Sequence, residues 1–146
     1  KSRYDSKVKY FVPDSLKSVT VTQALYKYGF ENSIGIEEVI IEASVKNESI
    51  PACYVQGCTN LKNFEINSKR IYTIGMYAFS KCDALEKLVL PQNLKKIMSY
   101  AFYNCTNLTD IQFPNRDFAV EYYSFKNAKF ITDFSDFFIS VFYLVR

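Results

Sequence analysis

Four cysteines are the residues in this chain whose type and spacing could do chemistry. Cys58, Cys82 and Cys105 follow one another at intervals of 24 and 23 residues, and Cys53 stands five before the first of them. Thiolates so placed could bind zinc, form disulfides or act as nucleophiles. The intervals match no zinc motif, and a single Cys-x4-Cys pair is weak evidence for one. Nucleophilic catalysis also needs a base, and the chain has 0 histidines. That removes Cys-His and Ser-His pairs, His acid–base chemistry and every His-containing metal site. Carboxylates remain, 15 Asp and Glu together, but no close acidic pair stands in a catalytic context and no glycine-rich phosphate loop occurs. The chain is therefore read as a non-enzyme with no cofactor and no metal. Its three evenly spaced cysteines are read as small buried hydrophobes at one recurring position.

The recurrence sets the architecture. Residues 76–114, MYAFSKCDALEKLVLPQNLKKIMSYAFYNCTNLTDIQFP, contain YAFSKC and then YAFYNC. CTNLKNFEI from Cys58, CDALEKLVL from Cys82 and CTNLTDIQF from Cys105 are copies of one unit. AKFITDF from Ala128 and SIGIEEVII from Ser33 are weaker copies, and SLKSVTV is an earlier strand segment. Within a copy, Leu85, Leu88 and Leu90 match Leu61, Phe64 and Ile66 and then Leu108, Ile111 and Phe113. Alternation over so few residues predicts a strand with one buried face. Pro91 and Pro114 close two of these strands, because proline cannot donate to a ladder. A second apolar pair follows, Ile71 and Ile74 or Leu94 and Ile97. Ala78, Phe79 and Cys82, or Ala101, Phe102 and Cys105, then complete the unit. About 23 residues cannot bury such a set alone, but stacked copies can, as ladders of equivalent side chains.

The pattern leucine-x-x-leucine-x-leucine-proline, isoleucine, then alanine-phenylalanine-x-x-cysteine resembles the BspA-like leucine-rich repeat over residues 15–130. The resemblance implies a curved leucine-rich repeat solenoid of about five to six rungs. A parallel sheet would line the concave face, with short turns, helical segments and irregular structure on the convex side. Residues 1–14 would form an N-terminal cap or linker, 15–136 the solenoid and 137–146 a C-terminal capping strand or assembly edge. Tyr54 and Val55 replace the usual Ala and Phe, so that turn is expected to be reshaped. Ser33 and Ala128 stand where Cys is usual, and Asp136 falls on a core position, where the repeat should break down.

A binding role is then sought on the outward strand positions. Ser18, Thr20 and Thr22 belong to this face, followed by Glu38, Ile40, Glu42, Asn63, Glu65, Asn67, Lys87, Val89, Asp110 and Gln112. Four of these are acidic and one is basic, a net of −3 on a chain of net +3. An extended acidic face fits a basic or polar partner. A column of tyrosines, Tyr28, Tyr77, Tyr100 and Tyr123, is either a packed stripe or a stacking platform for a sugar or peptide. Sequons at Asn47, Asn104 and Asn107 recur with the repeat turn. The resemblance further implies a surface-exposed or secreted protein engaged in adhesion to a host or neighbouring cell. A protein would be its partner, with carbohydrate as a second class. A structural spacer or self-assembling segment, stacked through its end rungs as a homo-oligomer, is the alternative. The charge balance argues against nucleic acid, and the apolar run at 137–145 is too short to span a bilayer.

Overall fold

The computed structural model describes residue 10 and residues 12–114 and 117–129. Short apolar alternations bounded by turns give nine strands among them. In chain order these are β1 (Ser18–Val21), β2 (Glu38–Ile41), β3 (Ser49–Ile50), β4 (Asn63–Ile66), β5 (Thr73–Ile74), β6 (Lys87–Val89), β7 (Lys96–Ile97), β8 (Asp110–Gln112) and β9 (Ala119–Val120). They stack in two parallel rows. The first row runs β1, β2, β4 and then β6, β8, and the second runs β3, β5, β7, β9.

Register places like residues on like. Val19 pairs with Val39 and Val39 with Phe64, while Leu88 pairs with Ile111. In the second row Ile50, Ile74, Ile97 and Val120 stand one above another. These inward columns, with Cys58, Cys82, Cys105, Leu61, Leu85 and Leu108, form one core. Burying each of the larger aliphatic side chains is worth about 1.5–3 kcal/mol, which is why a rung is stable only between neighbours.

The convex side contains no helix among the described residues, which corrects the expectation of helical segments there. A stack of tight turns takes their place. Each turn carries two residues in the left-handed region four positions apart: Tyr28 and Asn32, Cys53 and Gly57, Tyr77 and Lys81, Tyr100 and Asn104, Tyr123 and Asn127. Left-handed residues end a right-handed helix wherever they fall. The middle N–H group of each of the first four turns is also committed to the next rung rather than to its own turn. Phe30 donates to Tyr54 O at 2.8 Å, Val55 to Ala78 O at 2.9 Å, Phe79 to Ala101 O at 2.8 Å and Phe102 to Ser124 O at 2.7 Å. The turns thus form a third ladder.

The turn at Tyr54 is not reshaped: Cys53 and Gly57 take the same left-handed geometry as their counterparts. Side-chain packing absorbs the exchange instead. Phe79, Phe102 and Phe125 stack at 5.2 and 5.0 Å. Val55 is too small to extend that stack, and the Tyr54 ring fills the space, 5.5 Å from Phe30 and 6.4 Å from Phe64. Five strands fill the first row, and four rungs carry both strands. Asp136 and the segment 137–146 lie outside the described residues.

Candidate binding face

Pleating aims every second residue of the first row at solvent. Asn63, Glu65, Asn67, Lys87, Val89, Asp110 and Gln112 are exposed, and Glu38, Ile40 and Glu42 are half-buried. The core positions behind them, Leu61, Phe64, Phe79, Cys82, Leu85, Leu88, Leu90, Ile97, Phe102, Cys105, Leu108 and Ile111, are buried. Ile66 and Phe113 are half-buried against that core.

The carboxylates of this side are not equivalent. Glu38 accepts from Ser18 Oγ at 2.7 Å and from Asn63 Nδ2 at 2.9 Å. Those two hydrogen bonds hold its carboxyl below the ordinary glutamate range. Asp110 pairs with Lys87 at 3.6 Å. At the margin, Glu37 is held low by its hydrogen bond and ion pair with Lys62 at 3.0 Å. By contrast, neither the Glu42 nor the Glu65 side chain has a hydrogen-bond or ion-pair partner among the described residues. The open negative charge of the face is therefore concentrated at these two residues.

The first row is also interrupted. β4 and β6 are neighbours, yet they belong to separate ladders. One cause is Pro91. The bonds from Glu42 N–H to Val21 O and Asn67 N–H to Ile41 O close the preceding pairs at 3.0 and 2.8 Å. The third residue in that column is Pro91, which has no N–H to give. An open groove of about 460 Å³ lies at the interruption, lined by Lys62, Asn63, Phe64, Glu65, Ile66, Asn67, Lys87 and Val89.

The family pattern of the BspA type leucine rich repeat region matches residues 11–139 in six copies. The chain belongs to this family. Among curated proteins no relative was found. A leucine-rich repeat protein from Eubacterium ventriosum ATCC 27560 is similar in structure, with a TM-score of 0.74 and 25% identity over 80% of this chain and 32% of that one. The T. pallidum leucine rich repeat protein (TpLRR) superposes with a TM-score of 0.61 and 24% identity, covering 76% of this chain and 48% of that one. The chain thus spans about a third and about half of the length of these two proteins. Membership makes it a repeat module of the protein-interaction or structural kind.

In the BspA-type rung, the recurring cysteine is a buried thiol. Cys58, Cys82 and Cys105 donate to the carbonyl oxygens of Phe30, Val55 and Phe79 at 3.0, 3.3 and 3.0 Å. Burial pushes Cys58 and Cys105 up to about 12 and Cys82 well above the ordinary thiol range. All four cysteines are free, and only Cys53 is partly exposed. Among the described residues no group of three or more metal-ligating side chains occurs, and no helix is long and apolar enough to cross a membrane.

Three tyrosines of the column are stacked on one another, while Tyr28 is set apart from them by Cys53 at the intervening turn. Tyr77 and Tyr100 lie 4.9 Å apart and 7° from parallel, and Tyr100 and Tyr123 lie 5.4 Å apart. Ring faces are thus covered by neighbouring rings, and the Lys126 ammonium sits 5.0 Å from the Tyr123 ring centre. Such a column presents edges rather than the open faces that a sugar would stack upon.

Sequence reading did not single out Lys62, a wall of the groove, or the Lys96–Glu121–Ser99 cluster. Lys96 reaches Glu121 at 2.6 Å, and Ser99 donates to the same carboxylate from N–H at 2.9 Å and Oγ at 3.1 Å. Pro91 was visible as a strand end; its effect on pairing with β4 was not.

Proposed function

We propose that this chain is a non-catalytic recognition module of a surface-exposed or secreted protein, and that it binds a partner protein through the first-row sheet face in adhesion or cell contact. One observation supports the reading most directly: an extended, solvent-facing parallel sheet on which Glu42 and Glu65 lack partners while Glu38 and Asp110 have them. Ions left open on a rigid surface steer a complementary partner and set its specificity. The exposed Val89 and half-buried Ile40 add apolar area beside these charges.

The test is retention of beads coated with the chain on host cells or immobilised matrix protein. Reversing the open charges in E42K/E65K should abolish retention, and reversing cations outside the sheet face in K46E/K69E should preserve it. Equal retention of both variants would remove the sheet face from the reading. A structural role is the second reading, favoured because the chain covers only 32% and 48% of the two solved leucine-rich repeat proteins it superposes on. Concentration-dependent association in light scattering would support it.

A further inference from the structure

Between β4 and β6 the first-row face opens into a groove. Both cations on its rim are already engaged from the groove's own outer sides, Lys62 by Glu37 at 3.0 Å and Lys87 by Asp110 at 3.6 Å. Glu65, between them, has no partner among the described residues. Val89, also on the rim, is 52% exposed. Phe64 turns its side chain inward, away from the opening. An unpaired carboxylate and an exposed aliphatic surface within one opening of about 460 Å³ define a specific complement. That complement is a side chain with a long apolar stem and a cationic tip.

We infer that this groove is a receptor for an arginine or lysine side chain presented by an extended segment of the partner protein. The inference rests on the sheet-face reading above and names the residue type that the face selects. The stem lies along Val89 and the cation meets Glu65, with the Asn67 amide available as a further acceptor. Arginine is the better occupant, because its planar fork engages a carboxylate through two parallel hydrogen bonds and its guanidinium is less strongly hydrated than an ammonium. The stems of both residues bury readily against aliphatic surface. Lys62 and Lys87 repel the cation only weakly, since each is compensated by its own carboxylate. An acidic side chain would meet Glu65 directly and be excluded.

Nuclear magnetic resonance titration of the intact, isotope-labelled chain tests this. The probe is a blocked alanine pentapeptide with arginine at its centre, compared with the same peptide carrying citrulline, which keeps the shape and loses the charge. The arginine peptide should produce saturable shifts at the Asn63, Glu65, Asn67, Lys87 and Val89 amides, and citrulline should bind about tenfold more weakly or worse. E65Q, which keeps size and polarity at an exposed position, should remove the preference for arginine over citrulline. V89T should weaken both peptides equally. Equal binding of arginine and citrulline peptides to the parent chain would overturn the inference. Shifts centred on Glu38 and Glu42 would also overturn it while leaving the sheet-face reading intact. The bead assay tests that wider reading independently of the peptide, so the two can fail separately.

Discussion

The exchange of Ala-Phe for Tyr-Val at residues 54 and 55 is a packing swap, and this leads to a quantitative prediction. Tyr54 is fully buried, with its ring filling the space that a phenylalanine at position 55 would otherwise occupy. Truncating it in Y54A should cost about 3–5 kcal/mol, the usual range for a large aromatic removed from a core. Adding a ring in V55F, with Tyr54 still present, should cost about 1–3 kcal/mol through overpacking. If the two changes were independent, the double variant would lose roughly 4–8 kcal/mol by adding those ranges.

The swap predicts otherwise. Y54A/V55F restores the residues found at Ala78 and Phe79, whose ring stacks on Phe102 at 5.2 Å. It also removes the Tyr54 hydroxyl, which is buried with no hydrogen-bond partner among the described residues. Leaving such a group unsatisfied costs about 1–3 kcal/mol. The double variant should therefore lie within about 1 kcal/mol of the parent, giving a coupling of at least ~3 kcal/mol between the two positions. Urea unfolding followed by circular dichroism measures this, provided that each variant unfolds in one transition with an unchanged slope. Additivity of the two single changes would refute the swap, and with it the view that one rung spacing accommodates both arrangements.

Further tests use other parts of the scaffold. A methyl group at Gly29 would come within 2.7 Å of Tyr54 Cε2, so G29A should destabilise by about 1–3 kcal/mol. It should do so far less in a Y54A background, as a double-mutant cycle will show. Glu121 is held below the ordinary glutamate range by Lys96 first and then by the Ser99 N–H. A depressed pKa contributes stability that is present above about pH 4.3, the unfolded value, and lost as pH falls through the folded value. E121Q should cost about 1 kcal/mol at neutral pH, and unfolding curves should show the difference from parent shrinking in acid below that point. Thiol labelling of the native chain should modify Cys53 alone, and slowly, because burial and nearby Glu31 raise its pKa. Denaturant should release the other three cysteines, and fast native labelling of any of them would contradict their burial.

The row of strands was legible because alternation, prolines and the recurring cysteine all report the same period. Val39, Phe64 and Leu88 could be placed in one column before any coordinates, since equivalent residues in a solenoid must superpose. The second row was legible only as an apolar pair. Ile74 and Ile97 each end a two-residue strand, too short to show alternation. The absence of convex helices was not legible either. Tyrosine at a left-handed position is unusual for a residue with a bulky side chain, and only the repeated pairs, such as Tyr77 with Lys81, reveal the rule. The four acidic residues of the face looked alike in sequence. Which carboxylates are neutralised depends on neighbours 20 to 25 residues away, as for Glu38 with Ser18 and Asn63.

That distinction bears on where recognition resides in a repeat protein. Positions that agree from rung to rung, such as Cys58, Cys82 and Cys105, are held in common by the need to stack and therefore cannot mark any one place along the array. A site requires a rung to differ from its neighbours. Here three features coincide between the third and fourth first-row strands: Glu65 is open where Glu38 and Asp110 are partnered, Val89 exposes apolar surface, and the ladder is interrupted where Pro91 offers no donor. Each is tolerable alone, since a surface charge, an exposed valine and an edge proline are ordinary features of soluble domains. Their convergence on one groove is what a stacking requirement does not explain. Supplying a donor there, by replacing Pro91 with a residue that carries an N–H, should extend the ladder from β4 to β6. Hydrogen-exchange protection at that residue and a narrower groove with weaker arginine binding should then appear together. Gain of the ladder bond without loss of binding would show that the interruption has no part in recognition.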